Sequence, residues 1–417
     1  MKIYRNLWDK IITFENFKLA YKNATKGKKH YKEVKIIERK GVKRYLRKLL
    51  EEVKSKTYKV SAYDIFTRFT GEKYREIYRL PMKDKIVQHA LMVIIEPIFR
   101  ETFIKDTYSS IKGRGIHNGL KAIKRIVKSR KYRYYLKIDV HKCYPSLDKE
   151  ILKSKLARKF HDNDLLWLLF TIIDSCDKGV PIGNYTSQYF NNFYFSDLAH
   201  YLKEELGLDT IWYCDDLVVF GDDKNKLREV LNIINRKMAL LNVRIKENYQ
   251  IYNIEIRSVD MLGYKTRPDY ILIRKNTKKR FIDKVSKMDF NNLTKKDINT
   301  LGSYWGIFCH ADCRHLWFKY TGVKTFKELN INVHKRDFVR DLLGVKLEIK
   351  SCMCFSKRGQ EWLRIECCYN INGEQHDNVY ISISAEKLVE AGKQFNASMF
   401  PFETTIIVDD KGFYEFT

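Results

Sequence analysis

Ile211-Trp212-Tyr213-Cys214-Asp215-Asp216-Leu217-Val218-Val219-Phe220-Gly221 decides how the rest of the chain is read. An apolar and aromatic run leads in, two adjacent carboxylates follow, and a second apolar run leads out. Short β-prone runs around a polar pair predict a strand, a tight turn and a strand. Asp215 and Asp216 then stand at the tip of a buried hairpin. Adjacent carboxylates repel, and in a half-buried site one of them is forced neutral. A divalent cation removes that conflict, and Mg²⁺ is commonly held by one or two carboxylates plus substrate phosphates. Asp-Asp is also ordinary turn chemistry, and the chain supplies its own controls. Asp222-Asp223 precedes an amphipathic helix and reads as an N-cap pair. Asp409-Asp410-Lys411-Gly412 reads as a hairpin turn.

The difference lies in what else the chain brings. From Lys131 to Val140, Tyr132, Tyr134, Leu136 and Ile138 fall on one face, which predicts a strand ending at Asp139. The chain then turns through Pro145 and enters a helix near Asp148. If that strand lies beside the Asp215/Asp216 hairpin, three carboxylates meet at one sheet edge. Such a set can hold two metals that clamp the attacking and leaving oxygens of a phosphoryl transfer.

Around these strands the pattern is helical. A strand with alternate basic side chains, Lys73 to Arg79, stops at Pro81, and a long apolar helix follows through Val87, Leu91, Ile94, Ile95 and Ile98. Ser109 to Gly115 is a basic, glycine-flanked loop in which backbone can approach phosphate. Gly179-Val180-Pro181-Ile182-Gly183-Asn184 is a tight turn, Thr186 or Ser187 can cap the next helix, and Gly207 stops it. A helix spans Lys224 to Leu241. Gln250–Ile254 and Val259–Tyr264 read as strands. Lys275 to Lys287 form a basic helix, followed by an aromatic-rich pair of turns. Val379–Ile383 and Thr404–Val408 read as strands.

Charge divides the chain. The 417 residues carry 79 Lys and Arg against 51 Asp and Glu, a net charge of +28. Residues 331–417 hold 11 against 13, which leaves 68 against 38 for residues 1–330. The first three-quarters therefore suit a polyanion, with nucleic acid as the first candidate. Apolar runs fall short of the roughly 18 residues of a spanning helix. The start has no apolar signal segment. Together these point to a cytoplasmic protein and away from membranes. Nine scattered cysteines, without C-x₂-C spacing, read as free thiols, with a structural zinc site built from the Cys309–His315 cluster and Cys352/Cys354 or Cys367/Cys368 as the lesser alternative.

In order and spacing, these segments resemble the reverse transcriptases, specifically the bacterial kind, over about residues 70–320. Tyr213-Cys214-Asp215-Asp216 is similar to the family's Y-x-D-D box. Leu136-Lys137-Ile138-Asp139, continuing to Tyr144, is similar to the first aspartate motif. Gly179 to Gln188 resembles the motif between them, and Met261-Leu262-Gly263-Tyr264 resembles the primer grip. The resemblance implies an α/β (α+β) right-hand polymerase with fingers, palm and thumb, plus a C-terminal strand-rich domain. It implies an RNA-directed DNA polymerase in which Asp139, Asp215 and Asp216 are catalytic and hold two Mg²⁺, with Mn²⁺ as a substitute. Lys73 and Arg75 would meet the incoming dNTP, Tyr144 would exclude a 2′-OH, and Ile182 and Gln188 would lie by the new base pair. Many relatives carry Gln at the position of Ile182, and an aliphatic residue there resembles enzymes of diversity-generating retroelements. The Gly-Asn-Tyr-Thr-Ser-Gln form and the added C-terminal domain resemble anti-phage defence reverse transcriptases. Where the family's fourth motif shows a lysine, this chain has Glu247-Asn248-Tyr249 with Lys246 nearby.

The expected domains are a basic N-terminal extension (1–70), fingers (71–130), palm with part of the fingers inserted (131–270), thumb (271–328) and a C-terminal β-rich domain (329–417). Arg114, Lys278, Lys279 and Arg280 are the expected nucleic-acid contacts. The expected partners are an RNA template, with a dedicated noncoding RNA as one form of it, a DNA primer or product, and dNTPs. A protein partner or second copy is expected on 331–417, and no membrane. The competing readings are an RNA-binding protein on a polymerase scaffold and a template-independent nucleotide polymerase.

Overall fold

The structure, a computed structural model, describes residues 2–69, 74–290, 293–323 and 325, together with most of 346–416. It divides into two units, residues 1–274 and 275–417. In the first, a hairpin pairs β1 (Asp64–Phe69) with β2 (Tyr74–Arg79). The central sheet is antiparallel and contains β3 (Tyr134–Asp139), β4 (Thr210–Tyr213), β5 (Asp216–Gly221) and β6 (Gln250–Asn253), in the order β4-β5-β3-β6.

Side-chain alternation sorts this sheet into two faces. Leu136, Ile138, Trp212, Leu217 and Val219 enter the larger core with the surrounding helices. Tyr135, Ile211, Val218 and Phe220 enter a second core, with Ile123 and Val127 of the helix Ile116–Lys128 and with Val259 and Met261. Burial on both faces explains why Leu217 to Phe220 reads as a continuous apolar run. By the same alternation Lys137, Asp139, Asp216 and Val218 share the second face. The cover over that face stops short of the aspartates, which stay half-buried.

The N-terminal helices are part of this unit rather than an appended extension. Leu7, Phe17, Ala20, Leu46 and Val53 lie in the same core as Ile86, Leu91 and Ile95 of the helix Met82–Thr102. Asp162 accepts hydrogen bonds from the amides of Leu7 and Trp8, and Asn16 Nδ2 donates to the Ala90 carbonyl at 2.9 Å. The boundary expected at residue 70 also divides the β1–β2 hairpin. A boundary at 270 fails similarly. β7 (Val259–Met261), β8 (Tyr264–Thr266) and β9 (Ile271–Ile273) form one three-stranded sheet, so the first unit runs on to Arg274. The single strand expected over 259–264 is a hairpin. Its turn residues, Leu262 and Gly263, have φ of 58° and 89°, the left-handed pair that such a two-residue turn requires.

Two helical expectations change. The helix after Thr186 is broken into Ser187–Tyr194, Ser196–His200 and a π turn Tyr201–Glu205, with a non-helical Phe195 between the first two. Thr186 makes no capping bond, and the Ser187 hydroxyl instead donates to the Pro181 carbonyl at 2.7 Å. By contrast Asp223 does cap the helix Lys224–Leu240, accepting from the Asn225 and Lys226 amides.

In the second unit the aromatic-rich stretch forms helices, not turns. Helices Lys275–Val285, Lys295–Phe308 and Arg314–Thr321 pack Phe281, Phe308 and Trp317 together, with Phe281 and Trp317 stacked at 5.8 Å. Beyond them β10 (Lys346–Lys357), β11 (Gln360–Ile371), β12 (Glu374–Ile383), β13 (Phe402–Val408) and β14 (Tyr414–Phe416) form a sheet in the order β12-β11-β10-β13-β14. The strands expected at 379–383 and 404–408 fall in β12 and β13. The boundary placed at 328/329 lies outside the described residues.

One titration follows from this packing. His89, on the helix Met82–Thr102, stacks on Tyr185 with ring centroids 4.2 Å apart. Burial, reinforced by the charge of Lys28, lowers its pKa from 6.5 to about 4. The unfolded chain therefore binds a proton that the folded chain refuses between about pH 6.5 and pH 4. In that window stability falls as pH falls. Urea unfolding should show a lower midpoint at pH 5 than at pH 7, and His89→Gln should reduce the difference. An unchanged difference would place the acid sensitivity elsewhere.

Candidate active site

The site begins with a two-residue turn. Tyr213 pairs with Asp216 across β4 and β5, which leaves Cys214 and Asp215 to reverse the chain. Cys214 takes φ of 54°, a left-handed conformation uncommon for a residue with a side chain. It is held there from several sides. Its carbonyl accepts from Trp212 Nε1 at 3.0 Å and Asn191 Nδ2 at 3.3 Å, and its Sγ lies 2.7 Å from Ser109 Oγ. Asn191 is fully buried, and its Oδ1 accepts from Cys143. The turn is thus tied to the core beneath it.

The third carboxylate arrives by strand register. Asp139 is the β-partner of Asp216, at the last position of β3. The Val140 amide donates to the Asp215 carbonyl at 3.0 Å, locking the strand end to the turn. The three aspartates expected to act together are therefore gathered at one end of the sheet.

Their surroundings oppose full ionisation without a cation. Burial pushes the Asp216 carboxyl up to about 6, and the charges of Asp215 and Asp139 push in the same direction against Lys137 and Arg274. Lys137 Nζ donates to the Asp260 carbonyl, and Arg274 Nε to Asp260 Oδ1, so both cations are held at the border of the site. Lys246, treated from sequence only as a neighbour of Glu247, belongs to the site. Its amide donates to the Asp139 carbonyl at 2.9 Å, and its ammonium pairs with the Asp139 carboxylate. The sequence signal for it was a lone lysine one residue before the motif position. Among the described residues, no three His, Cys, Asp or Glu side chains close into a metal cage. An open set of carboxylates beside a pushed-up carboxyl fits Mg²⁺, which leaves positions for water and phosphate.

A second device aligns the surroundings. The loop Gly179–Asn184 touches the Tyr144 backbone and the β1–β2 hairpin at once. The Val180 amide donates to the Tyr144 carbonyl at 3.1 Å, and the Tyr78 amide on β2 donates to the Ile182 carbonyl at 2.9 Å. Both contacts require glycine. A Cβ on Gly179 would lie 2.2 Å from the Tyr144 carbonyl oxygen, and one on Gly183 would lie 2.2 Å from that of Tyr78. Tyr144 also reaches back to the turn, its hydroxyl 3.8 Å from Cys214 Sγ.

Residues 68–266, from β1 to β8, match the family model for reverse transcriptase (RNA-dependent DNA polymerase). This stretch is a reverse transcriptase domain. Its central sheet is β4-β5-β3-β6, and it has the mixed helix-and-strand fold of a right-hand polymerase. The Retron Ec73 reverse transcriptase of Escherichia coli is 26% identical over 249 residues, covering 55% of this chain and 77% of that protein. Protein YkfC of E. coli K12 is 22% identical over 170 residues, 37% of this chain and 45% of that protein. A Candida albicans telomerase, solved with a fragment of telomeric RNA, superposes with a TM-score of 0.42 at 13% identity, over 69% of this chain. The chain spans just over half of that telomerase, 58%.

The other expected contacts of the reverse transcriptase domain are distributed unevenly. Arg75 is exposed on β2, directly opposite Arg68, a like-charge pair that favours a bound anion. Lys73 lies outside the described residues. Ile182 is half-buried in the loop, and Gln188 is exposed in the first turn of its helix. Arg114 is a correction. It is half-buried, and its Nη1 donates to the carbonyls of Ile104 and Thr107, so it braces its own loop instead of facing phosphate. In the second unit Lys278, Lys279 and Arg280 are exposed on the helix Lys275–Val285.

The Gly183 contact gives a direct test. Gly183→Ala adds a Cβ at φ of 132° against the Tyr78 backbone. It should cost about 1–3 kcal/mol in denaturant unfolding and detach the β1–β2 hairpin, with primer extension reduced more than stability alone explains. Wild-type stability in the variant would show that the hairpin is not seated on this loop.

Proposed function

We propose that this chain copies RNA into DNA by phosphoryl transfer at the Asp139, Asp215 and Asp216 edge. The observation that carries the reading is the pairing of Asp139 with Asp216 across β3 and β5, with Asp215 in the adjoining turn. Those three residues would hold two divalent ions, Mg²⁺ first and Mn²⁺ in its place. When bound, the ions would lower the charge on the transferring phosphoryl group and on the attacking 3′-oxygen. Lys246, paired with Asp139, supplies a cation at the border of the same site. Arg75 on the β1–β2 hairpin, with Lys73 two residues before it in sequence, would hold the triphosphate.

Tyr144 would form the floor beneath the sugar. Its ring is held through its backbone by Val180 and approaches Cys214 through its hydroxyl, so it has little freedom to yield. Ile182 offers no hydrogen bond near the new pair, so discrimination there rests on shape, as in an error-tolerant retroelement enzyme. A bacterial retron enzyme among the relatives supports a bacterial setting with an RNA template. Anti-phage defence and diversity-generating retroelement are the two roles that fit. Exposed Lys278, Lys279 and Arg280 would contact nucleic acid, and residues 331–417, lacking basic excess, would meet a protein partner or a second copy.

The test is extension of a DNA primer on an RNA template with dNTPs and Mg²⁺. The expected product is DNA complementary to the RNA, lost on chelation. Absence of product on any primed RNA, with RNA binding intact, would favour an RNA-binding protein on a polymerase scaffold. The same assay tests the sugar floor. Tyr144→Ala should raise ribonucleotide use relative to deoxyribonucleotide use, by about 5- to 30-fold if 1–2 kcal/mol of exclusion is removed. An unchanged ratio would make Tyr144 a core residue only.

A further inference from the structure

Beyond the reacting edge, the loop Gly179–Asn184 leads directly to a second surface. Tyr185 is 38% exposed, and its ring lies on the His89 imidazole at 4.2 Å and 27°. The stack is fixed from below. The Tyr185 amide donates to Gln88 Oε1 at 2.9 Å, Gln88 is 1% exposed, and Tyr189 meets Tyr185 edge-on at 6.0 Å. Around the same loop Gln88 Nε2, Asn184 Oδ1 and Thr186 Oγ1 are buried with no hydrogen-bond partner among the described residues. Buried polar atoms are nearly always satisfied, so a cluster of them marks a place where a polar ligand or water belongs.

The rim is mixed in sign and includes lysines. Lys28 acts electrostatically on both His89 and Lys85, and Arg79 adds to the positive field at Lys85, against Glu33 beside Lys85 and Glu96 beside Tyr185. Arg79 is paired with Asp64, but neither Lys28 nor Lys85 is in an ion pair among the described residues. His89 is held neutral at pH 7, so the stack itself is an uncharged aromatic surface with cations beside it. An aromatic face flanked by lysines is the arrangement that binds unpaired nucleic acid, through base stacking and phosphate contact. A protein partner would be expected to meet an apolar patch rather than a rim that includes lysines.

We propose that the His89–Tyr185 stack is a platform for an unpaired base of the RNA template, with Lys28 and Lys85 taking the adjoining phosphates. This rests on the polymerase reading, because it is Ile182 at the new base pair that places Tyr185, three residues further on, beside template not yet copied. The platform would keep the next template base out of the duplex and hold the strand in line.

The probe is a DNA primer annealed to an RNA template with an unpaired 5′ extension, compared with a flush primer–template of the same duplex. The fluorescent base 2-aminopurine occupies the first unpaired positions in turn. Wild-type protein should bind the extended template more tightly and quench the fluorophore at one position. Tyr185→Ala should lose the quench and about tenfold in affinity for the extended template, while flush binding is kept. Tyr185→Phe should retain both, and Lys28→Ala with Lys85→Ala should weaken binding and reduce its salt dependence. Unchanged affinity and quench in Tyr185→Ala would overturn the platform. Equal losses on flush and extended templates would overturn it too, by showing a structural role. Failure of the wild type to extend the primer would instead count against the polymerase reading, and is read separately.

Discussion

Three carboxylates at one end of a sheet are unstable neighbours, and much of this molecule can be understood as the means of holding them there. Burial and the charges of Asp215 and Asp139 push Asp216 upward, Lys137 and Arg274 offset that only in part, and Lys246 pairs with Asp139. The backbone carries the rest of the cost. Cys214 is kept in a left-handed conformation by bonds from Trp212 and Asn191, and the Val140 amide ties the turn to the end of β3. Strain of this kind persists only where surrounding structure over-determines it, and such places are often functional. The two cores on opposite faces of the sheet provide that rigidity, and the open end of the second face leaves the acids accessible.

The same logic extends outward through one loop. Gly179 and Gly183 have no side chain because backbone carbonyls of Tyr144 and Tyr78 occupy the space. The loop therefore relates three things at fixed spacing: the tyrosine beside the turn, the β1–β2 hairpin and the aromatic stack of Tyr185 on His89. Catalysis by positioning depends on such spacing, since small displacements of reacting groups are costly.

How much of this was legible depended on the kind of signal. Asp139, Asp215 and Asp216 could be found because Asp139 closes and Asp216 opens a strongly apolar strand, with Asp215 in the turn before it, and strand register then brings Asp139 opposite Asp216. Asp223 could be set apart because a cap before an amphipathic helix has its own pattern, and it does cap that helix. Lys246 was undervalued because its role depends on a backbone pairing between 246 and 139 that no local pattern encodes. Arg114 was misread for a similar reason. A basic residue between glycines looks like a phosphate loop until its partners, Ile104 and Thr107, are known. The boundaries at 70 and 270 each separate two paired strands, whereas the chain is divided by packing. Helices 8–54 look like a polar appendage in sequence, yet one stripe of each fills the main core. The tertiary break at Phe195 was hidden because both sides of it carry good helical spacing.

The central claim is that the Asp139–Asp215–Asp216 edge is a phosphoryl-transfer site. Single-turnover addition of one deoxynucleotide to a primer on RNA, measured alongside RNA affinity in wild type and Asp215→Asn, tests it most directly. The change removes a carboxylate charge from the turn and no phosphate contact. The expected result is loss of nucleotide addition by several orders of magnitude with RNA affinity largely unchanged. Addition at a rate near wild type in Asp215→Asn would contradict the claim and move the chemistry elsewhere.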